Sequence, residues 1–150
     1  MSHAVIPYDA GAHEAFVYGT WLSAYAGAPS VKSLPRDLYY AYQRCLIASL
    51  LERATTLVAE DAGLLLGWAC AERAGPRLVA GHFVFVKARD RELGIAADLM
   101  AALGHVLEVT CEDRIVATHS QKPFSHWLYR KGWGYEPRYL AERNHEEETR

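Results

Sequence analysis

Cysteine is scarce in this chain. Cys45, Cys70 and Cys111 are odd in number, far apart, and each sits inside an apolar segment. That excludes a disulfide framework and predicts three reduced, buried, small hydrophobes in a cytoplasmic protein. There is no CxxC pair and no His/Cys spacing of the zinc type, and the seven histidines are dispersed, so no metal site is expected. Long apolar runs are missing too: none approaches the ~20 residues of a membrane-spanning helix, so no membrane association is expected. Met1-Ser2-His3-Ala4 lacks a basic region leading into an apolar core, which argues against a secretory signal at this end. Excess charge of either sign is also absent. The net charge of -2 gives no support for nucleic-acid binding. No internal repeat, low-complexity tract or linker interrupts the sequence. What remains is a chain of 150 residues, 51% hydrophobic and 23% charged, long enough for one domain with a proper core. Residues 142–150 read as a frayed, charged tail.

The periodicities predict an α+β chain. Ala4 to Tyr8 reads as a first strand, with Asp9 as the N-cap of a helix over Ala12 to Tyr25. Pro35 opens a second helix running to about Ala54. Along it Leu38, Tyr42, Cys45, Leu46, Ser49 and Leu50 recur at three- and four-residue steps, the spacing of a buried stripe. Thr55–Ala59, Leu64–Ala71 and a strand ending near Val86 form an antiparallel meander, with a tight turn at Asp61-Ala62-Gly63. A third helix covers Gly94 to Leu107. Arg114–Thr118 is a further strand, Phe124–Lys131 a short helix, and Tyr139–Ala141 a last strand.

The segment from Ala80 to Leu107 is the most informative. An apolar strand feeds a loop carrying Lys87, Arg89 and Arg91, and Gly94-Ile95-Ala96 then opens an amphipathic helix. Free backbone N–H groups at a helix N-terminus attract anions. Small residues at 94 and 96 let phosphate oxygens approach those groups without meeting a branched Cβ. The G-x-G-x-x-G run of dinucleotide folds is missing, and so is the Gly-Lys-Ser/Thr of a P-loop.

Arg91-Glu92-Leu93-Gly94-Ile95-Ala96 resembles the Arg/Gln-x-x-Gly-x-Gly/Ala signature of the GNAT N-acetyltransferase superfamily. The predicted order β-α-α-β-β-β-α-β-α-β is also that of the GNAT fold, a mixed, mostly antiparallel central sheet flanked by helices. The resemblance spans roughly residues 4 to 140, with its specific part at 82–104 and a weaker echo at 122–133. It implies acetyl-CoA as cosubstrate, with the pyrophosphate held by the loop of Arg91, Glu92, Leu93, Gly94, Ile95 and Ala96. It further implies that Val84, Phe85 and Val86 splay from the neighbouring strand. Their main chain then bonds the pantetheine arm, and one N–H polarises the thioester carbonyl, acting as an oxyanion hole.

Two side chains stand out for proton transfer. His82 lies on the strand before the loop, where strict alternation puts 82, 84 and 86 on one face and 83 and 85 on the other. Some arylalkylamine N-acetyltransferases are similar in placing histidines on this strand, and imidazole suits removal of an amine proton. The alternative is a half-buried structural histidine. Tyr129, in Trp127-Leu128-Tyr129-Arg130-Lys131-Gly132-Trp133, resembles the tyrosine of the family's Tyr-x-x-x-Gly-Phe ending, which protonates the departing thiolate. Here two residues separate Tyr129 from Gly132 rather than three, so gapless alignment puts Leu128 in the tyrosine's place. The asparagine common earlier in that segment is replaced by Gln121 or Lys122. Trp21, Tyr25, Tyr39, Tyr40 and Tyr42 either line an acceptor pocket or pack two helices on the sheet. The expected activity is direct acetyl transfer to an amine of a small molecule or peptide in a ternary complex. The other readings are a catalytically weak or inactive acyl-CoA-binding or interaction module and an unrelated α/β domain with another phosphate ligand. Exposed aromatics would permit a homodimer.

Overall fold

The computed structural model describes residues 2–26, 33–91, 93–118 and 131–135. In chain order these form β1 (Ala4–Pro7), α1 (Ala10–Ala26), α2 (Arg36–Arg53), β2 (Thr55–Asp61), β3 (Leu64–Gly75) and β4 (Leu78–Val86). A 3₁₀ turn (Ala88–Asp90), α3 (Ile95–Val106), β5 (Arg114–Ala117) and β6 (Gly134–Tyr135) follow. The strands lie in the order β1-β2-β3-β4-β5-β6. The first three pairings are antiparallel, and β4–β5 and β5–β6 are parallel. The expected mixed, mostly antiparallel sheet flanked by helices is therefore present. The predicted strand at Tyr139–Ala141, most of the predicted helix at Phe124–Lys131, and the charged tail lie outside the described residues.

Local chemistry explains the element ends. Asp9 caps α1 as expected, its Oδ2 accepting the Ala12 N–H at 3.0 Å. His13 completes a reciprocal cap, its Nδ1 accepting the Asp9 N–H at 2.9 Å. Ala62 and Gly63 both adopt positive φ, 50° and 83°, as a two-residue hairpin between β2 and β3 requires.

Two apolar layers sandwich the sheet. Val17 and Trp21 of α1 and Leu46, Ile47 and Leu50 of α2 pack with Val58, Trp68 and Phe83 on one face. The Trp21, Trp68 and Phe83 rings form a compact cluster, with Phe83 4.5 Å from Trp21 and 4.7 Å from Trp68 between centroids. On the other face Ile95, Leu99 and Leu103 of α3, one residue per turn, meet Leu57, Leu66 and Val86.

Helix α2 corrects one expectation. Its buried residues are Tyr39, Leu46, Ile47 and Leu50, while Leu38 is 65% and Tyr42 62% exposed and Cys45 is exposed. The polar partners decide this rotation. The Tyr39 hydroxyl donates to the Leu22 carbonyl, and Gln43 Oε1 accepts the Trp21 indole N–H, so 39 and 43 face inward. The cysteines are a second correction: Cys70 is buried, but Cys45 and Cys111 are exposed.

Candidate functional site: a forked strand beside an open helix end

Strand β4 is paired with β3 along its length, from Leu78 opposite Gly75 to Val86 opposite Gly67. Its other edge is paired with β5 only from Leu78 to Gly81. The Thr118 N–H donates to the Gly81 carbonyl at 3.0 Å as the last rung. Beyond it, no strand pairs with the second edge of residues 82–86 among the described residues. Val84, Phe85 and Val86, the residues expected to splay, lie past this last described rung, and residues 119–130, which follow β5 and Thr118, lie outside the described residues. Gly67 lets β3 lie close beneath it, because a Cβ there would stand 2.4 Å from the Phe85 carbonyl oxygen and 3.2 Å from Val86 Cα. Val84 leans toward Ala117, against which Trp133 also packs.

The chain then passes through the 3₁₀ turn to Gly94, the N-cap of α3, in the left-handed region at φ 80° and ψ 7°. Its N-cap offers no side-chain bond, so among the described residues the first N–H groups of the helix are left for an anion. A Cβ built at Gly94 meets nothing within 4 Å, which leaves space above the helix end. Ile95 is 1% exposed and anchors the turn to the core, Ala96 is half-buried, and Leu93 is exposed. Arg91 is also exposed, and its Nε donates to the Val86 carbonyl at 3.1 Å, folding the loop back over the strand end. Lys87 instead sits over the Phe16 ring, 5.4 Å from its centroid. Glu92 lies outside the described residues.

His82 departs from the predicted alternation. In the β3–β4 register Cys70 faces Phe83 and Ala71 faces Gly81, so His82 is the extra residue of a β-bulge. Its imidazole bonds Glu72, which also bonds Arg53 of α2, so it lies on the side of Phe83 and away from Val84 and Val86, which pack on the α3 side. It is fully buried rather than half-buried, at 0% exposure. Nε2 lies 2.9 Å from Glu72 Oε1 and Nδ1 3.0 Å from Thr118 Oγ1. Glu72 also accepts from Arg53 Nε at 3.3 Å, at the C-terminal end of α2. Burial pushes the neighbouring Cys70 thiol up to about 12, so it stays neutral beside this chain of polar groups.

Tyr129 lies outside the described residues, as does the Tyr25 side chain. Trp21 and Tyr39 are core, at 1% and 4% exposure, and so do not line an open acceptor pocket. Among the described residues no group of three or more His, Cys, Asp or Glu is arranged to hold a metal ion, and no helix is long and apolar enough to cross a membrane.

The six-stranded, mostly antiparallel sheet with helices on both faces is that of the GNAT fold. Solved structures agree. A protein of Pyrococcus furiosus described as an acetyl transferase superposes with a TM-score of 0.67 at 16% identity, over 90% of this chain and 95% of that one. A GNAT-family acetyltransferase of Staphylococcus aureus gives 0.60 at 14% identity, over 87% and 81%. The PaiA N-acetyltransferase of Thermoplasma acidophilum, in complex with coenzyme A, gives 0.59 at 16% identity, over 88% and 89%. No protein-family profile matches the chain, and no curated protein does.

Sequence reasoning missed Glu72, Thr118 and Gly67. Each carried a signal. Glu72 is a lone acid ending the apolar run from Leu64 to Ala71, the pattern of a carboxylate paired in the interior. Thr118 closes an apolar strand. Gly67 is a strand-interior glycine, which marks a bulge or a close backbone approach.

Proposed function

We propose that the protein is an acetyl-CoA-dependent N-acetyltransferase. The observation that carries this reading is the strand-loop-helix unit in which β4, paired with β5 only to Gly81 among the described residues, leads to the N-terminus of α3, whose N-cap makes no side-chain bond. The donor pyrophosphate rests on the N–H groups of Gly94, Ile95 and Ala96, with Arg91 at its side. The pantetheine arm runs into the fork along Val84, Phe85 and Val86, whose unpaired main-chain groups bond it. A strand N–H there stabilises the oxyanion that develops as an acceptor amine attacks the thioester carbonyl. The attack is direct, in a ternary complex. Direct attack forms no acyl-enzyme, so none of Cys45, Cys70 and Cys111 is needed as a nucleophile. Tyr129 is the candidate donor of a proton to the departing thiolate, and His82 the candidate sink for the amine proton.

A second reading is a coenzyme A-binding module without turnover, favoured by the complete burial of His82. Acetyl-CoA is expected to raise the melting temperature, by about 2.7 kcal/mol of stabilisation at a hundredfold excess over Kd, with ATP and NAD doing much less. An unchanged melting temperature at saturating acetyl-CoA would overturn both readings. Stabilisation without acetylation of any amine in a broad panel would favour the second.

A further inference from the structure

Helix α2 has two apolar faces, and the sheet uses one of them. Tyr39, Leu46, Ile47 and Leu50 are buried. The outer face carries Leu38, Ala41, Cys45 and Ala48, all exposed, and Leu34 is exposed in the turn that leads into the helix. From Leu34 to Ala48 the steps are four, three, four and three, the repeat of a coiled-coil seam. Tyr42 stands beside this seam and is exposed as well. A surface helix without a partner turns charged and polar side chains outward. Here Arg44 is the one charged residue from Leu38 to Ala48, and it lies on the flank of the seam. We propose that this face of α2 docks a second copy of the chain, as an antiparallel helix pair related by a two-fold axis near Ala41.

The flanking charges select the occupant. Asp37 and Arg44 are both exposed, and they lie seven residues apart on the same side of the seam. Seven residues of helix rise about 10 Å, too far for the two to pair within one chain. A two-fold axis normal to the plane of the paired helices reverses the residue order and keeps each side chain on its own flank. Asp37 then comes level with the partner's Arg44, and Arg44 with the partner's Asp37. One operation answers both charges, as an isologous contact requires. A partner of another sequence would call for no such self-complementarity.

The seam suits close approach. Ala41 at its centre lets the helix axes come to the short, ~8 Å end of the usual spacing, with Leu38 packing across the axis. A single helix face falls short of the ~800 Å² per partner of a standard interface, so the pair is weak and forms as concentration rises. Helices α1 and α2 lie on one face of the sheet and α3 on the other, so the contact leaves the N-terminus of α3 free. The inference goes beyond the acetyl-transfer reading and does not depend on it.

The test is sedimentation equilibrium of the full chain from about 1 to about 500 μM, where mass action governs the pair. The wild type should pass from one chain toward two within that range. Leu38→Glu places a charge in the seam at a side chain 65% exposed, so it should melt like the wild type in dilute solution and stay monomeric throughout. Asp37→Arg and Arg44→Asp each set like charges level across the axis, and each should weaken self-association about tenfold at low salt. Mixed together, the two variants should associate about as tightly as the wild type, because opposite charges meet again between unlike chains. The double reversal should do the same on its own. Asp37 sits in the first turn of α2, so replacing it also costs a favourable dipole contact. That cost is present in the mixture too, so recovery there reports the pairing. A wild type that is monomeric at the highest concentration overturns the proposal, as does association undiminished in Leu38→Glu. Single variants that associate no better mixed than apart overturn the two-fold register. Acetyl-CoA should bind the wild type and Leu38→Glu alike. If it binds neither, the acetyl-transfer reading fails and the sedimentation result still decides the docking.

Discussion

Gly94 joins the backbone and electrostatic requirements of the loop in one residue. Its φ of 80° suits glycine, and the space beyond it is open, so a substitution there is strained without being crowded. Asparagine tolerates the left-handed region better than most residues. Gly94→Asn and Gly94→Asp should therefore share a similar loss of stability, about 1 kcal/mol. They should part on ligand binding, because only aspartate sets a negative charge beside the phosphates. Calorimetry is expected to show acetyl-CoA binding at least about tenfold weaker in Gly94→Asp than in Gly94→Asn, about 1.4 kcal/mol. Equal affinities would separate the helix end from the ligand. Much of this residue was legible beforehand, since a glycine between a strand and a helix names its own conformation. The direction of the basic side chains was not. Lys87 on Phe16 and Arg91 on the Val86 carbonyl are long-range choices that no local pattern encodes.

At the scale of elements, β3 and β4 are held at a spacing that Gly67 alone permits where Phe85 and Val86 cross it. Gly67→Ala would force a methyl into backbone atoms that cannot rotate away. A loss of about 1–3 kcal/mol is expected from the overpacking. In a chain of this size each kcal/mol lowers the melting temperature by about 2–4 °C, which a calorimetric scan would show. Acetyl-CoA should also bind less tightly, because the displaced residues are those proposed to hold the pantetheine arm. A mutant that melts like the wild type would mean that β3 yields there at no cost. Most element boundaries could be read from caps, turns and apolar spacing, as Asp9, Gly63 and Pro35 illustrate. The face presented by an element was harder. On α2 the apolar count favoured Leu38 and Tyr42, whereas hydrogen bonds from Tyr39 and Trp21 turned the helix. On β4 a single inserted residue moved His82 across the sheet, and alternation carries no sign of a bulge.

For the molecule as a whole, Arg73 ties together the end of the sheet where β3 finishes and β4 begins. Its guanidinium donates to both carboxylate oxygens of Asp113, at 2.8 and 3.1 Å, and to the Leu107 carbonyl at 3.0 Å, joining β3, the C-terminal end of α3 and the approach to β5. The hydrogen bonds from Arg73, with one from the Thr110 N–H, hold the Asp113 carboxyl down from 3.8 to about 2. A depressed carboxyl stabilises the fold above its unfolded value and loses that contribution as pH falls through its folded value. The stability difference between wild type and Asp113→Asn should be constant above about pH 4 and shrink between about pH 4 and about pH 2. Denaturant titrations across that range would show it, and a difference independent of pH would mean that the pair carries no linkage.

A strand held on both edges at one end and, among the described residues, on one edge at the other behaves like one arm of a pair of tweezers, and the contrast should be visible in time as well as space. Amides at the fastened end of β4, around Val79 to Gly81, sit between two partner strands. Among the described residues, those from Val84 to Val86 have a partner strand on one edge only. Amide hydrogen exchange should therefore quicken along this one strand from its first half to its second, because the second half opens without breaking the β5 pairing. Saturating acetyl-CoA should erase most of that gradient by occupying the parted edge. Uniform protection along β4 without ligand would mean that the strand moves as a rigid bar, its two ends closing and opening together.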